Sequence, residues 1–262
     1  MQIQPHIILT LGRSGSNTLV DLLNQNDEIL NYGEVLGEWN AIRRFRYLIA
    51  GGSEARYVDH LLYRRTVAAA ANLARTAGKI RKGTFNDIKR LRAIRTVGFK
   101  EFSLNIRAMG LADHLLDQAG IRFIGLVRRN PLERLVSCHR MAATGEVATR
   151  TGSEKHPIAL TLDAATIVAD LETIQCEVDE LDDLLDRIPP DRKRVVDYDD
   201  LYSSPDATVR VARDLYDFLG VTRIIPQVRM KKIIQRPMAQ VIANFEECRQ
   251  AAANSRFAAC FA

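Results

Sequence analysis

Residues 6–23 read HIILTLGRSGSNTLVDLL. Ile7 to Leu11 is a short apolar run, rich in β-branched residues and too short for a free-standing helix, so it is expected to be a buried strand. Gly12 to Asn17 is small and polar, with two glycines that let the backbone turn sharply. From Thr18 onward Leu19, Val20, Leu22 and Leu23 recur at helical spacing. A strand, a glycine-bearing loop and a helix in that order aim successive N–H groups and the helix N-terminus at one spot, which makes an anion site. The same glycines also satisfy a plainer need, a tight strand-to-helix turn.

The loop comes close to a Walker A sequence and fails its test. A loop of the nucleoside-triphosphate kind ends in Gly-Lys-Ser/Thr, with lysine on the β- and γ-phosphates and the hydroxyl on Mg²⁺. Here Gly15 is followed by Ser16 and Asn17, and the cation, Arg13, comes before Gly15. A loop that cradles phosphate but carries its cation early suits a ligand with one 5′-phosphate and a leaving group beside it. It suits a triphosphate–metal complex poorly.

A chain of 262 residues fits one large domain, or one domain with an insertion. With 47% hydrophobic and 26% charged residues it can bury a substantial core, which excludes a disordered or fibrous chain. A net charge of +5 favours anionic ligands without approaching a histone-like binder. Cys138, Cys176, Cys248 and Cys260 form no CxxC pair, so neither disulfides nor zinc are expected and a cytoplasmic location is the default. No apolar run reaches the length of a membrane span, and no basic n-region precedes the first strand. The five histidines fall in unrelated contexts, and none is assigned to catalysis.

Past the first helix, Asn24 to Asp27 is a turn cluster, and Ile29 to Tyr32 leads to Gly33-Glu34. An acid directly after a glycine can face the cleft above the phosphate loop; taken alone it is better read as a surface carboxylate. Residues 41–95 form a helical, basic insertion. Arg43, Arg44 and Arg46 flank Phe45 and Tyr47, Tyr57 to Ala77 has a helical pattern, and seven Lys or Arg between Lys79 and Arg95 surround Gly83. Such a run is commonly a solvated face. It also suits an acidic acceptor or peripheral contact with a membrane surface; without interleaved aromatics, nucleic acid is not expected as a partner.

Val97 to Phe102 has the pattern of a second strand, followed by a helix over Ile106 to Gln118. The second informative stretch is Ile121 to Met141, IRFIGLVRRNPLERLVSCHRM. Phe123 to Val127 is again a short buried strand, and Pro131 is suited to the first position of the helix beyond it. A guanidinium at the strand's end and Ser137 on that helix can converge on a second phosphate, Arg supplying its preferred fork geometry. A surface arginine, and a serine bonded to its own helix, account for the same residues. Ala143 to Pro157 is expected to be a polar loop, Ile167 to Leu185 an amphipathic packing helix, Val195-Val196 a strand, and Asp206 to Leu219 a helix closed by Gly220. A C-terminal helical segment covers about 222–262, with a helical run from Val241 to Ala253.

Together the two stretches resemble the sulfotransferases that use 3′-phosphoadenosine 5′-phosphosulfate (PAPS). Their 5′-phosphosulfate loop is matched by Arg13-Ser14-Gly15-Ser16-Asn17-Thr18, and their 3′-phosphate motif by Arg129-Asn130-Pro131 with Val136-Ser137. Asp197-Tyr198-Asp199-Asp200-Leu201, with Phe218-Leu219-Gly220-Val221, is similar to their late strand, turn and closing helix. The resemblance implies an α/β single domain of three layers, a mainly parallel central sheet flanked by helices, P-loop-like, with the ligand at the carboxyl ends of the strands. It implies PAPS as donor and no metal, with Arg13, Ser14, Gly15, Ser16, Asn17 and Thr18 around the 5′-phosphate. Arg129 and Ser137 would hold the 3′-phosphate in the same groove as the Gly15 turn. The chain looks nearer to bacterial carbohydrate sulfotransferases of the nodulation-factor type than to animal cytosolic enzymes, because Phe99-Lys100-Glu101-Phe102 carries no histidine. A carbohydrate or glycolipid acceptor is therefore expected. Glu34 is the implied base, with Arg13 and Lys100 in the catalytic set and Glu101 as rival base. Lys231, Lys232 and Arg236 are candidates to close over the nucleotide. The alternatives are a P-loop kinase and a non-catalytic anion or nucleic-acid binder.

Overall fold

The first strand, β1 (Gln4–Thr10), is buried along nearly its whole length and lies at the centre of a five-stranded sheet in the computed structural model. The structure describes residues 3–37, 43, 50–81, 83, 88–145, 159–234 and 236–261. After β1 come α1 (Ser16–Gln25), β2 (Ile29–Asn31), α2 (Glu54–Tyr63), α3 (Arg65–Arg81), β3 (Thr96–Phe102), α4 (Ser103–Ala108), α5 (Ala112–Leu116) and β4 (Arg122–Val127). Next are α6 (Pro131–Thr144), α7 (Ile167–Asp186), β5 (Lys193–Asp197), α8 (Tyr198–Tyr202), α9 (Pro205–Leu219), α10 (Met238–Val241) and α11 (Phe245–Ala252). The strand order is β2-β3-β1-β4-β5, and every neighbouring pair is parallel. Parallel neighbours need crossover connections, which puts helices on both faces.

Alternation along β1 sorts the two cores. Ile7 and Leu9 pack with Phe99 and Phe123, with Tyr57, Val58 and Leu61 of α2, and with Val178 and Leu181 of α7. Ile8 turns to the opposite face, among Leu19, Leu22 and Leu23 of α1, Ile124 and Leu126 of β4, and Leu215 and Tyr216 of α9. The expected three-layer α/β architecture is present. In register, Thr10 pairs with Phe102 on one side and Leu126 on the other, so the carboxyl ends of β1, β3 and β4 finish level. The segments leaving those three strands therefore meet at one edge of the sheet.

Several elements differ from the sequence expectation. Ile29–Asn31 is an edge strand paired with β3, too short to show any alternation. The helix expected over Tyr57 to Ala77 is two, α2 and α3, joined at an extended Arg64 (φ −89°, ψ 111°). α2 faces the main core, whereas α3 turns Ala68 onto Leu30, Ile94 and Val97, and one straight rod cannot serve both. Ile106 to Gln118 is likewise split into α4 and α5, with Gly110 in the left-handed region at φ 64°. The run from Val241 to Ala253 is divided between α10 and α11. α6 extends to Thr144, while residues 146–158, and with them His156 and most of the expected polar loop, lie outside the described residues. So do Arg44, Phe45, Arg46, Tyr47 and Lys82.

The four cysteines are free thiols. Among the described residues, no helix is long and apolar enough to cross a membrane and no cluster of His, Cys, Asp or Glu is placed to hold a metal ion.

Candidate active site

The loop after β1 is held from outside before it can hold anything. Gly12 O accepts a hydrogen bond from Arg134 Nε (2.9 Å), and Arg13 O accepts one from Arg128 Nη1 (3.0 Å). Both donors are buried arginines, on α6 and at the end of β4. Arg13 takes φ 65°, a conformation few non-glycine residues adopt, and Gly15 takes φ 76°. Gly15 is also where Tyr202 sits against the chain: an added Cβ would lie 2.7 Å from its Cε2 atom. The Thr18 hydroxyl is hydrogen-bonded to that of Tyr202, and Thr18 N–H donates to Gly15 O (3.0 Å). In the first turn of α1 the N–H groups of Ser16 and Asn17 have no carbonyl one turn back to bond, so they point outward as donors.

They open into a cavity of about 490 Å³, within the usual range for small-ligand sites. Its floor is Gly12, Arg13 and Gly15 to Thr18. One wall is Glu34, Lys100 and Phe102; the other is Arg128, Ser137, Cys138 and Met141. Tyr198, Tyr202 and the segment Met230–Ile234 complete it. The charged lining consists of Arg13, Lys100, Arg128, Lys231 and Lys232 against one carboxylate, Glu34. Such a surface selects polyanions. Burial pulls the Arg13 guanidinium below its ordinary pKa, and the neighbouring Arg128 charge adds to the effect.

Glu34 stands on the strap beyond β2, and its carboxylate pairs with Lys100 Nζ. Lys100 Nζ also donates to Asn17 Oδ1 (3.1 Å), so the lysine links the carboxylate to the loop after β1. Glu101 is turned the other way, as alternation along β3 requires. Fully buried, it accepts from Val35 N (3.2 Å) and Leu36 N (2.8 Å) with Oε2, and from Phe102 N (3.0 Å) and Asn105 Nδ2 (2.8 Å) with Oε1. It is absent from the cavity lining and fastens the strap that carries Glu34.

On the opposite wall Arg13 Nε donates to Ser137 Oγ (3.1 Å), which joins the loop to α6. Arg128 stacks over the Tyr198 ring at 4.2 Å and pairs with Glu133 (2.6 Å). Lys232 reaches Glu133 from the other side (3.0 Å). Burial alone would raise the Glu133 carboxyl, but the Arg128 and Lys232 hydrogen bonds outweigh it and hold the pKa below the usual range. Burial raises the phenols of Tyr198 and Tyr202, which keeps them neutral hydrogen-bonding groups.

The structure thus gathers Arg13, Gly15, Ser16, Asn17, Thr18, Glu34, Lys100 and Ser137 around one cavity. Arg129 departs from the expectation that it shares the groove of the Gly15 turn. Its half-exposed guanidinium is drawn to Asp182 (2.9 Å) and Asp197 (3.5 Å), away from the lining. Adjacent residues at a strand end face opposite sides, and it is Arg128 that enters the cavity. Ser14 is buried, its hydroxyl without a hydrogen-bond partner among the described residues, and Arg236 is exposed. Sequence reasoning did not single out Arg128, Arg134 or Tyr202. Paired arginines at a strand end were the only available signal for the first; the other two depend on contacts across the chain.

A parallel sheet with a glycine-bearing loop at its carboxyl edge, facing a carboxylate–lysine pair, places a cavity where open α/β sheets bind their ligands. The chain belongs to the Sulfotransferase family, which it matches over residues 5–224. A sulfotransferase from Alicyclobacillus acidocaldarius has the same fold, with TM-score 0.50 at 15% identity over 99% of this chain and 93% of that one. The sulfotransferase domain of the Synechococcus PCC 7002 olefin synthase aligns with TM-score 0.43 at 18% identity, over 84% of this chain and 74% of that one. The sulfotransferase domain from the curacin biosynthetic pathway aligns with TM-score 0.44 at 14% identity, over 99% and 83%. No curated protein has a matching sequence.

Proposed function

We propose that the chain transfers the sulfuryl group of PAPS to a hydroxyl of an acceptor, a carbohydrate or glycolipid being the class its motifs suggest. The observation that carries this is the single cavity into which the Arg13–Thr18 loop, the Glu34–Lys100 pair and the Arg128–Ser137 wall all open. Sulfuryl transfer moves a group in line between two oxygens, so the protein must position, deprotonate and neutralise. Glu34 takes the acceptor hydroxyl's proton while the acceptor oxygen bonds to sulfur. The bond from sulfur to the 5′-phosphate oxygen breaks, and 3′-phosphoadenosine 5′-phosphate leaves. Lys100 and Arg13 meet the charge that develops on that oxygen, and the first-turn N–H groups of α1 hold the phosphate. Arg128 and Ser137 are the groups we assign to the 3′-phosphate.

Calorimetric titration with 3′-phosphoadenosine 5′-phosphate, AMP and ATP tests the donor. A preference for the first is expected, reduced on the order of tenfold or more in Arg128→Ala and less in Arg129→Ala, since a charge-assisted hydrogen bond is worth roughly 1.5–3 kcal/mol. Tightest binding of ATP overturns the donor assignment. A larger loss in Arg129→Ala returns the 3′-phosphate to that residue.

A further inference from the structure

Between residues 61 and 95 the sequence holds ten Lys or Arg and a single acid, Asp87. The whole chain carries only +5, so the remaining residues are net negative and the basic excess is concentrated here. The structure gives that excess an apolar companion. Along α3, Ala70, Leu73, Ala77 and Ile80 recur at spacings of three and four, and all are exposed. Leu73 is 70% exposed and Ile80 52%, while the residues α3 buries are Ala68 and Asn72. This helix turns small or polar side chains to the protein and its bulkiest aliphatics to solvent, the reverse of a packing helix. Among the described residues, five of the eight large apolar side chains left exposed lie in this region: Tyr63, Leu73, Ile80, Ile88 and Leu91. Asn72 Nδ2 donates to Lys89 O (3.0 Å), and the buried Lys89 donates to Asn24 O (2.7 Å), which fixes the segment bearing Ile88 and Leu91 beside α3. Exposed arginines 64, 65, 81, 90 and 92 flank these residues along the chain.

We propose that this face docks on an anionic lipid surface, with α3 lying in the plane of the interface. Leu73 and Ile80 enter the boundary between headgroups and acyl chains, and the arginines meet lipid phosphates and carboxylates. A second copy of the chain would bring one arginine-rich face against another, and like charges so placed repel. Nucleic acid would satisfy the arginines but offer Leu73 and Ile80 nothing to enter. Ala68 packs over Leu30 and Val97 near the amino ends of β2 and β3, whereas the cavity lies at the carboxyl ends of the strands. The docking face and the cavity are separate surfaces, so the proposal stands apart from the assignment of the donor.

Co-sedimentation of the full chain with vesicles of phosphatidylcholine alone, and with about one part in four of phosphatidylserine, tests this. Binding to the second kind only is expected. Leu73→Glu and Ile80→Glu should each lower the partition by about fivefold or more, as should Arg81→Glu paired with Arg92→Glu. Nucleotide titration and circular dichroism should not change, because the substituted side chains are exposed and absent from the cavity lining. Failure to bind anionic vesicles, or binding indifferent to Leu73→Glu, overturns the proposal. So does a dimer that Leu73→Glu dissociates, which assigns the face to a second copy, or preferential binding of polyglutamate, which assigns it to an acidic protein.

Discussion

At the scale of single residues, Glu34 and Lys100 form the ion pair to which the proposed reaction assigns proton removal and charge neutralisation. The Lys100 ammonium pairs with the Glu34 carboxylate and also donates to Asn17 Oδ1. The lysine therefore ties the proposed base to the loop proposed to hold the donor. Replacing Glu34 by Gln keeps the shape and removes the proposed proton acceptor. We expect kcat to fall roughly 10²–10⁴-fold with the affinity for 3′-phosphoadenosine 5′-phosphate retained. Near-normal turnover would remove Glu34 from that role. Arg13 shows the same economy of placement: its backbone is strained at φ 65°, and its side chain braces Ser137 across the cavity.

At the scale of elements, the strap from Gly33 to Leu36 has little regular structure of its own and is positioned by others. Lys100 N donates to Gly33 O (3.0 Å), and the Tyr57 hydroxyl donates to Val35 O (3.3 Å). Glu101 collects the two N–H groups that come immediately after Glu34. Its four donors are all satisfied only by a group with two accepting oxygens. Gln at this position sets an NH₂ group against N–H donors on one side or the other, a cost of about 1–3 kcal/mol for the buried group left unpaired. Glu101→Gln should therefore lower both the thermal midpoint and kcat while nucleotide affinity stays near normal. A variant with wild-type kcat and midpoint would show that the strap is held by something else.

At the scale of the whole molecule, the sheet is laced across three strands by one buried histidine. Thr96 Oγ1 donates to Gln4 O (2.7 Å), so it accepts from His6 Nδ1 (2.9 Å), and His6 Nε2 accepts from Asn31 Nδ2 (3.0 Å). This arrangement needs the neutral ring, and burial pulls the His6 pKa from 6.5 down to about 3. Between those values the unfolded chain binds a proton that the folded one refuses. The contribution is intact above the ordinary value and is lost as pH falls through the window, with a slope of up to about 1.4 kcal/mol per pH unit. Urea midpoints should drop between about pH 7 and about pH 5, and His6→Gln, though less stable throughout, should show a shallower drop. An identical slope in the variant would assign the acid sensitivity to other groups.

By itself the sequence determined the architecture and pointed to the strand ends that the structure gathers around one cavity. Short apolar runs ending in Gly12-Arg13-Ser14-Gly15 and in Arg128-Arg129-Asn130-Pro131 announce parallel strands feeding helices, because period and turn chemistry are local properties of the chain. Helices bearing their own stop signals were equally legible, as α9 and Gly220 show. Only the tertiary structure decided which of two adjacent arginines enters the cavity, which of two glutamates faces it, and that Tyr202 closes on Gly15. It also decided where α2 breaks from α3, since Arg64 carries no breaker chemistry and the bend answers to two separate cores. Side-chain direction at a strand end and the partner of a buried carboxylate depend on residues dozens of positions away, which no local pattern encodes.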